Sequence, residues 1–132
     1  MLREKAPLTE EQARLMNPLQ LAYLGDTVWD LLVRSRLLYR GLNVRHMHRE
    51  SIGAVNAGAQ AKAFDRIAPL LTEAERAVAQ RGRNAHPHHG VPKNQDPAAY
   101  AGATALESLI GYLYLTGQEP RLLRLFEASQ EE

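Results

Sequence analysis

Apolar residues along this chain recur at intervals of three and four, and no stretch alternates apolar with polar residues for long enough to read as a strand. Leucine and alanine dominate over the β-branched residues. The pattern predicts an all-α domain of about six helices with well-punctuated boundaries. Thr9 opens a short helix, with Gln12 placed for a capping box. Asn17-Pro18 is an N-cap followed by proline at the first helical position, and that second helix runs to about Arg40, where Gly41 supplies a left-handed stop. A third helix spans roughly residues 47 to 67 and ends before Pro69; a fourth opens at Thr72, with Glu75 three residues on, and ends near Arg81-Gly82. Asp96-Pro97 caps a fifth, which stops at Thr116-Gly117, and a sixth follows Glu119-Pro120. Residues 82 to 97, with two glycines and three prolines, read as a connection longer than a helix bundle needs, and such loops are functional or disordered.

The periodicity also assigns faces. In the second helix Leu21, Leu24, Val28, Leu31 and Leu32 make the expected core stripe. The opposite side is apolar too, so a dimer is expected there, burying residues such as Trp29 or Val33 across a two-fold axis. In the fifth helix Leu106, Leu109, Ile110 and Leu113 face the core, with Ala99, Gly102 and Ala103 as small residues that permit close helix approach.

The length of 132 residues fits a single domain, 1–132, that buries enough surface to fold without staples. The absence of cysteine excludes a disulfide framework and thiolate zinc sites. Without a signal segment or an apolar run long enough to span a bilayer, the expected location is the cytoplasm, with no membrane partner. A net charge of +1 conceals an uneven distribution. Two tracts without any acid, residues 31–49 and 76–95, hold nine of the sixteen basic residues and all five histidines. They form either a phosphate-binding face or solvated helix flanks, and charge alone does not separate the two.

Two acids stand out. Asp26 points about 140° away from Leu21, on the side of the helix shared by Ala22, Tyr23, Asp30, Val33 and Leu37. Glu107 is the only charged residue between positions 97 and 118 and flanks the stripe beside Tyr100, Gly111 and Tyr114. One carboxylate on each of two apolar helices suits a hard cation such as Mg²⁺, which takes one or two carboxylates and keeps several waters. The alternative is a salt bridge to one of the arginines for Asp26, or two separately solvated acids.

The segment LAYLGDTVWDLLVRSRLL, Leu21 to Leu38, resembles the signature helix of the ribonuclease III family. ATALESLIGYLYL, Ala103 to Leu115, is similar to that family's second acidic helix, and RGRNA (Arg81 to Ala85) with PKN (Pro92 to Asn94) resembles the RNA-binding loop of its Mini-ribonuclease III branch. The likeness covers about Asn17 to Phe126. It implies the family's all-α endonuclease-domain fold, a homodimer, and Mg²⁺-dependent hydrolysis of double-stranded RNA to 5′-phosphate and 3′-hydroxyl ends. Asp26 and Glu107 would be catalytic metal ligands, and Arg81, Arg83, Asn84, Lys93 and Asn94 would contact RNA. The natural substrate implied by the branch is large-subunit (23S) ribosomal RNA precursor. Two family acids are replaced, by Ala22 and Thr104, a reduction shared with the branch, and there is no room for the double-stranded RNA-binding domain that accompanies ordinary family members. His48 aligns with a histidine of the branch but reads equally as a helix-start residue, and His86, His88 and His89 read as a polar loop tip rather than a metal cluster. Alternatives of other classes are a non-catalytic RNA-binding or ribosome-assembly module, or a purely structural helical dimer.

Overall fold

The computed structural model describes residues 4–85 and 96–130. Among them are seven α-helices and no strand: α1 (Glu10–Arg14), α2 (Pro18–Tyr39), α3 (Val44–Val55), α4 (Ala57–Ile67), α5 (Glu73–Asn84), α6 (Pro97–Leu115) and α7 (Glu119–Ser129), with a 3₁₀ turn at Ala68–Leu70. Every start read from the caps of Thr9, Asn17, Thr72 and Asp96 is in place. The first three of these form complete capping boxes with Gln12, Gln20 and Glu75, and the Asp96 carboxylate accepts from the Ala99 N–H. Gly41 and Gly117 take φ of 74° and 73°, values that favour glycine, and so end α2 and α6.

Helix α6 is the axis of the domain, packed against α2, α4 and α5. Leu106, Leu109, Ile110 and Leu113 are fully buried, as the periodicity predicts. From Gly102 to Leu113 every residue is buried except Glu107. Small residues at its crossings let the neighbours of this enclosed helix come closer than larger side chains would allow. At Gly25 of α2 an added Cβ would lie 1.8 Å from the Glu107 carbonyl oxygen, and at Gly111 of α6 it would lie 2.0 Å from the Leu21 carbonyl oxygen. The two backbones therefore touch. Gly102 meets Ala61 of α4 in the same manner, with a Cβ-to-Cβ distance of 2.9 Å.

Four expectations need correction. The core face of α2 is Leu21, Ala22, Gly25, Trp29, Val33 and Leu37; of the predicted stripe Leu31 is 59% exposed, and Leu24, Val28 and Leu32 are only partly buried. With apolar residues on both sides, periodicity does not fix the phase of this helix; the glycine contact with α6 does. Trp29 and Val33, expected across a dimer axis, are instead interior to the chain's own core at 1% and 4% exposure, the Trp29 ring standing edge-on to Phe126 with centroids 5.1 Å apart. The third predicted helix is two helices. Asn56 breaks it by serving both ends: its Oδ1 accepts from Ala59 N–H at 2.8 Å, and its Nδ2 donates to the Gly53 carbonyl at 3.1 Å. Finally, α5 continues past Gly82 to Asn84, because Gly82 is a contact point with Ser108 of α6 and not a terminus.

Long-range polar bonds fasten the periphery to this core. Arg121 of α7 forms a two-pronged pair with the buried Glu75 of α5, at 2.8 and 2.9 Å. The Tyr112 hydroxyl of α6 donates to Glu10 of α1 at 2.8 Å.

The crossing yields a stability test. Gly25→Ala and Gly111→Ala put a methyl group into backbone, which cannot yield as a flexible side chain does, so each should cost at least ~3 kcal/mol, the upper end of overpacking effects. Gly53, on an exposed stretch of α3 with nothing within 4 Å of its added Cβ, is the control. Gly53→Ala should stabilise by about 0.5–1 kcal/mol through helix propensity. Urea midpoints of the three variants check both statements.

Candidate active site

The contact that brings α2 onto α6 also sets Asp26 beside Glu107, since Asp26 follows Gly25 and Gly25 lies against the Glu107 carbonyl. Both side chains line a cleft of about 920 Å³. Its walls are α2 through Ala22 and Asp26, α6 through Tyr100, Thr104 and Glu107, and the first turns of α4. The positions where two family acids are replaced, Ala22 and Thr104, thus open on the same cleft as Asp26 and Glu107. The Thr104 hydroxyl is occupied in a bond to the Tyr100 carbonyl at 2.9 Å.

Asp26 is exposed and Glu107 half-buried. Burial pushes the Glu107 carboxyl up to about 8, and the hydrogen bond and negative charge of Asp26 push the same way; the Gln60 amide opposes them. Two carboxyl groups this close resist being charged together unless a cation lies between them. The donors are all hard oxygens, which suits Mg²⁺. Among the described residues no group of three acidic or histidine side chains gathers anywhere, so Asp26 and Glu107 act as a pair.

The predicted RNA contacts fall differently. Arg81 is exposed but already engaged by the chain itself, its guanidinium donating to the carbonyls of Arg14 and, at 3.1 Å, Met16, where it closes the end of α1. The Arg83 guanidinium lies 5.4 Å from the centre of the Phe64 ring. Asn84 is exposed and accepts from Gln80 at 3.1 Å. These three sit at the end of α5, and none of them lines the acid cleft. Lys93 and Asn94 lie outside the described residues, as do His86, His88 and His89. His48 sits apart from the acids, in a smaller hollow of about 360 Å³ between α2 and α3.

The α4 side of the cleft has little signature in the sequence. Asn56, Ala57, Gly58 and Gln60 all line it. Gln60 is the informative one, because at 3% exposure it is buried while polar. Its only signal in the sequence is position, one turn beyond an Asn-Ala-Gly helix start inside what otherwise reads as one continuous helix.

Residues 19–118 match the model of the ribonuclease III domain. The chain is 49% identical over 115 residues to Mini-ribonuclease 3 of Symbiobacterium thermophilum, covering 86% of this chain and 88% of that one. It is 48% identical over 113 residues to Mini-ribonuclease 3 of Desulfitobacterium hafniense, covering 85% and 71%. An X-ray structure of a protein from Fusobacterium nucleatum superposes with a TM-score of 0.76 at 30% identity, over 86% of this chain and 91% of that one. The acid pair held at a glycine crossing and the similarity to Mini-ribonuclease 3 proteins over most of the chain agree: the chain belongs to the ribonuclease III family of endoribonucleases.

Proposed function

We propose that this protein is a single-domain, Mg²⁺-dependent endoribonuclease that cuts double-stranded RNA, with Asp26 and Glu107 as the catalytic acids. The observation that carries the reading is the convergence of these two carboxylates in one cleft, one of them driven away from its charged form by its surroundings. Such a pair lacks a positive charge. Bound there, Mg²⁺ would supply a water of lowered pKa and neutralise charge on the phosphate under attack. The chain's own contribution is to hold both carboxylates from rigid helices, and the Gly25–Gly111 contact leaves them little freedom to separate. The rest of the cleft, open to solvent, admits the RNA backbone. Duplex RNA is recognised through phosphates and 2′-hydroxyls more than through bases. Arg83, Asn84, Lys93 and Asn94, at the end of α5 and in the connection to α6, are proposed to make those contacts, while Arg81 contributes by fixing α5 against α1.

The protein is proposed to work as a homodimer in the cytoplasm on large-subunit (23S) ribosomal RNA precursor, the substrate implied by the likeness to the Mini branch. Among the described residues no helix is long and apolar enough to cross a membrane. With Trp29 and Val33 inside the core, the dimer surface moves to the other face of α2. There Leu31 and Leu38, seven residues apart and so on one side of the helix, are 59% and 63% exposed. Val44, beside Leu38 in the α2–α3 hollow, is 77% exposed.

Asp26→Asn and Glu107→Gln should each lower cleavage of duplex RNA in Mg²⁺ by at least about a hundredfold, the scale of losing a charged ligand, while RNA binding in EDTA changes little. Binding retained by a wild type that does not cleave would instead favour the non-catalytic RNA-binding module.

The raised Glu107 pKa makes a second test. In the metal-free protein the folded state keeps a proton on Glu107 between about pH 5 and pH 8, where the unfolded chain has released it. Stability should therefore fall as pH rises through that window and level off above it. Melting curves of wild type in EDTA should show this slope, Glu107→Gln should lack it, and Mg²⁺ should flatten it by taking the place of the proton.

Thr104→Asp returns a carboxylate to the cleft, one turn before Glu107. It should lower the Mg²⁺ concentration for half-maximal cleavage by several-fold, since added ligand charge tightens a hard-cation site. A metal titration of cleavage rate reads the shift; an unchanged midpoint in a folded variant would show that position 104 does not reach the ion.

A further inference from the structure

Among the described residues two buried side-chain donors lack a partner, the Trp29 indole N–H in the apolar core and the Gln60 amide at the cleft. The Gln60 side chain is buried, and its Nε2 makes no hydrogen bond. An unpaired buried amide is costly, and each one needs a reason. Helix capping is not that reason: Asn56 caps α4, and the Gln60 backbone N–H is already bonded to the Asn56 carbonyl at 3.0 Å. The break at Asn56 starts α4 at the cleft, and the close contact of Ala61 with Gly102 brings the residue before it, Gln60, against α6. Gln60 is thereby fixed on the wall of the cleft that contains Glu107 and Asp26. The acceptor it faces is Glu107, which lines the same cleft and whose carboxyl the Gln60 amide pulls down against the effect of burial.

Resting on the reading that Asp26 and Glu107 hold a divalent cation, we propose that Gln60 is a positioning residue for that pair, its buried Nε2 donating to one Glu107 carboxylate oxygen and leaving the other to turn toward Asp26. Groups that orient a metal ligand from behind in this way narrow its rotamers and commonly weigh ten- to a hundredfold in metal affinity or rate. The arrangement has a structural logic where Asp26 and Glu107 carry the site alone, the third acid on the cleft, Asp96, being bonded to the Ala99 N–H as the cap of α6. A carboxylate with few companions gains more from being held still.

The test uses Gln60→Met, which keeps the length of the side chain and removes the donor, with Gln60→Leu as a second apolar replacement. Mn²⁺ binding to the full chain is measured by calorimetry without RNA, duplex RNA binding is measured in EDTA, and kcat and KM are measured at saturating Mg²⁺. The expected result is a ten- to hundredfold loss of Mn²⁺ affinity and a similar fall in kcat. RNA affinity and KM should stay at wild-type values, and the melting temperature at or above its own, since the substitution also removes an unpaired buried polar group. Wild-type Mn²⁺ affinity in the folded variants would overturn the proposal. So would a loss of RNA affinity with Mn²⁺ binding intact, which would make the amide an RNA contact, or a collapse of the melting transition in both variants, which would make it a packing residue. Failure of the unsubstituted protein to bind Mn²⁺ removes the metal reading itself, and that outcome is visible before any variant is made.

Discussion

The backbone contact between α2 and α6 at Gly25 and Gly111 is the constraint on which the rest of the molecule depends. With added Cβ atoms at 1.8 and 2.0 Å from carbonyl oxygens, no other residue fits either place without separating the helices. That one crossing sets the phase of α2, and so decides that Trp29 goes inward and Leu31 outward. It also sets Asp26 beside Glu107. Core and site are therefore consequences of the same contact, and the glycine of the Leu-Gly-Asp run serves the aspartate that follows it.

The electrostatics of the cleft follow from the same enclosure. A helix buried on every side cannot carry a charge at most of its positions, and Glu107 is tolerated only because its side reaches the cleft. There it remains poorly solvated and near a second acid, so its carboxyl holds its proton to about pH 8. A proton or a divalent cation satisfies this position; a bare carboxylate does not. With Ala22 and Thr104 where the family usually carries acids, the burden of charge is shared by two groups, and the neutral Gln60 amide stands on the wall opposite.

Much of this was legible in the sequence, and what was not has physical reasons. Caps were readable because they are local: Thr9, Asn17, Thr72 and Asp96 each bond within three residues. The core face of α6 was readable because its polar residues are few. The face of α2 was misread because both its sides are apolar, so that only contact with another helix chooses between them, and a glycine leaves no mark on a hydrophobic stripe. Asn56 was hidden for a different reason. Its two-sided bonding depends on backbone geometry, while its neighbours continue a helical pattern on either side. The bonds of Arg81 leave no mark on the sequence, because the carbonyls of Arg14 and Met16 lie more than sixty residues away.

The enclosure of α6 has a consequence for hydrogen exchange. Amides on a surface helix open by local fraying, whereas those in a helix packed on all sides exchange only when the whole domain opens. From Gly102 to Leu113 the backbone of α6 belongs to this slowest class, and Glu107 lies in the middle of it. The helix that supplies half of the acid pair therefore has no cheap partly open form: its integrity around Glu107 is as durable as the fold, and is lost at the same free energy.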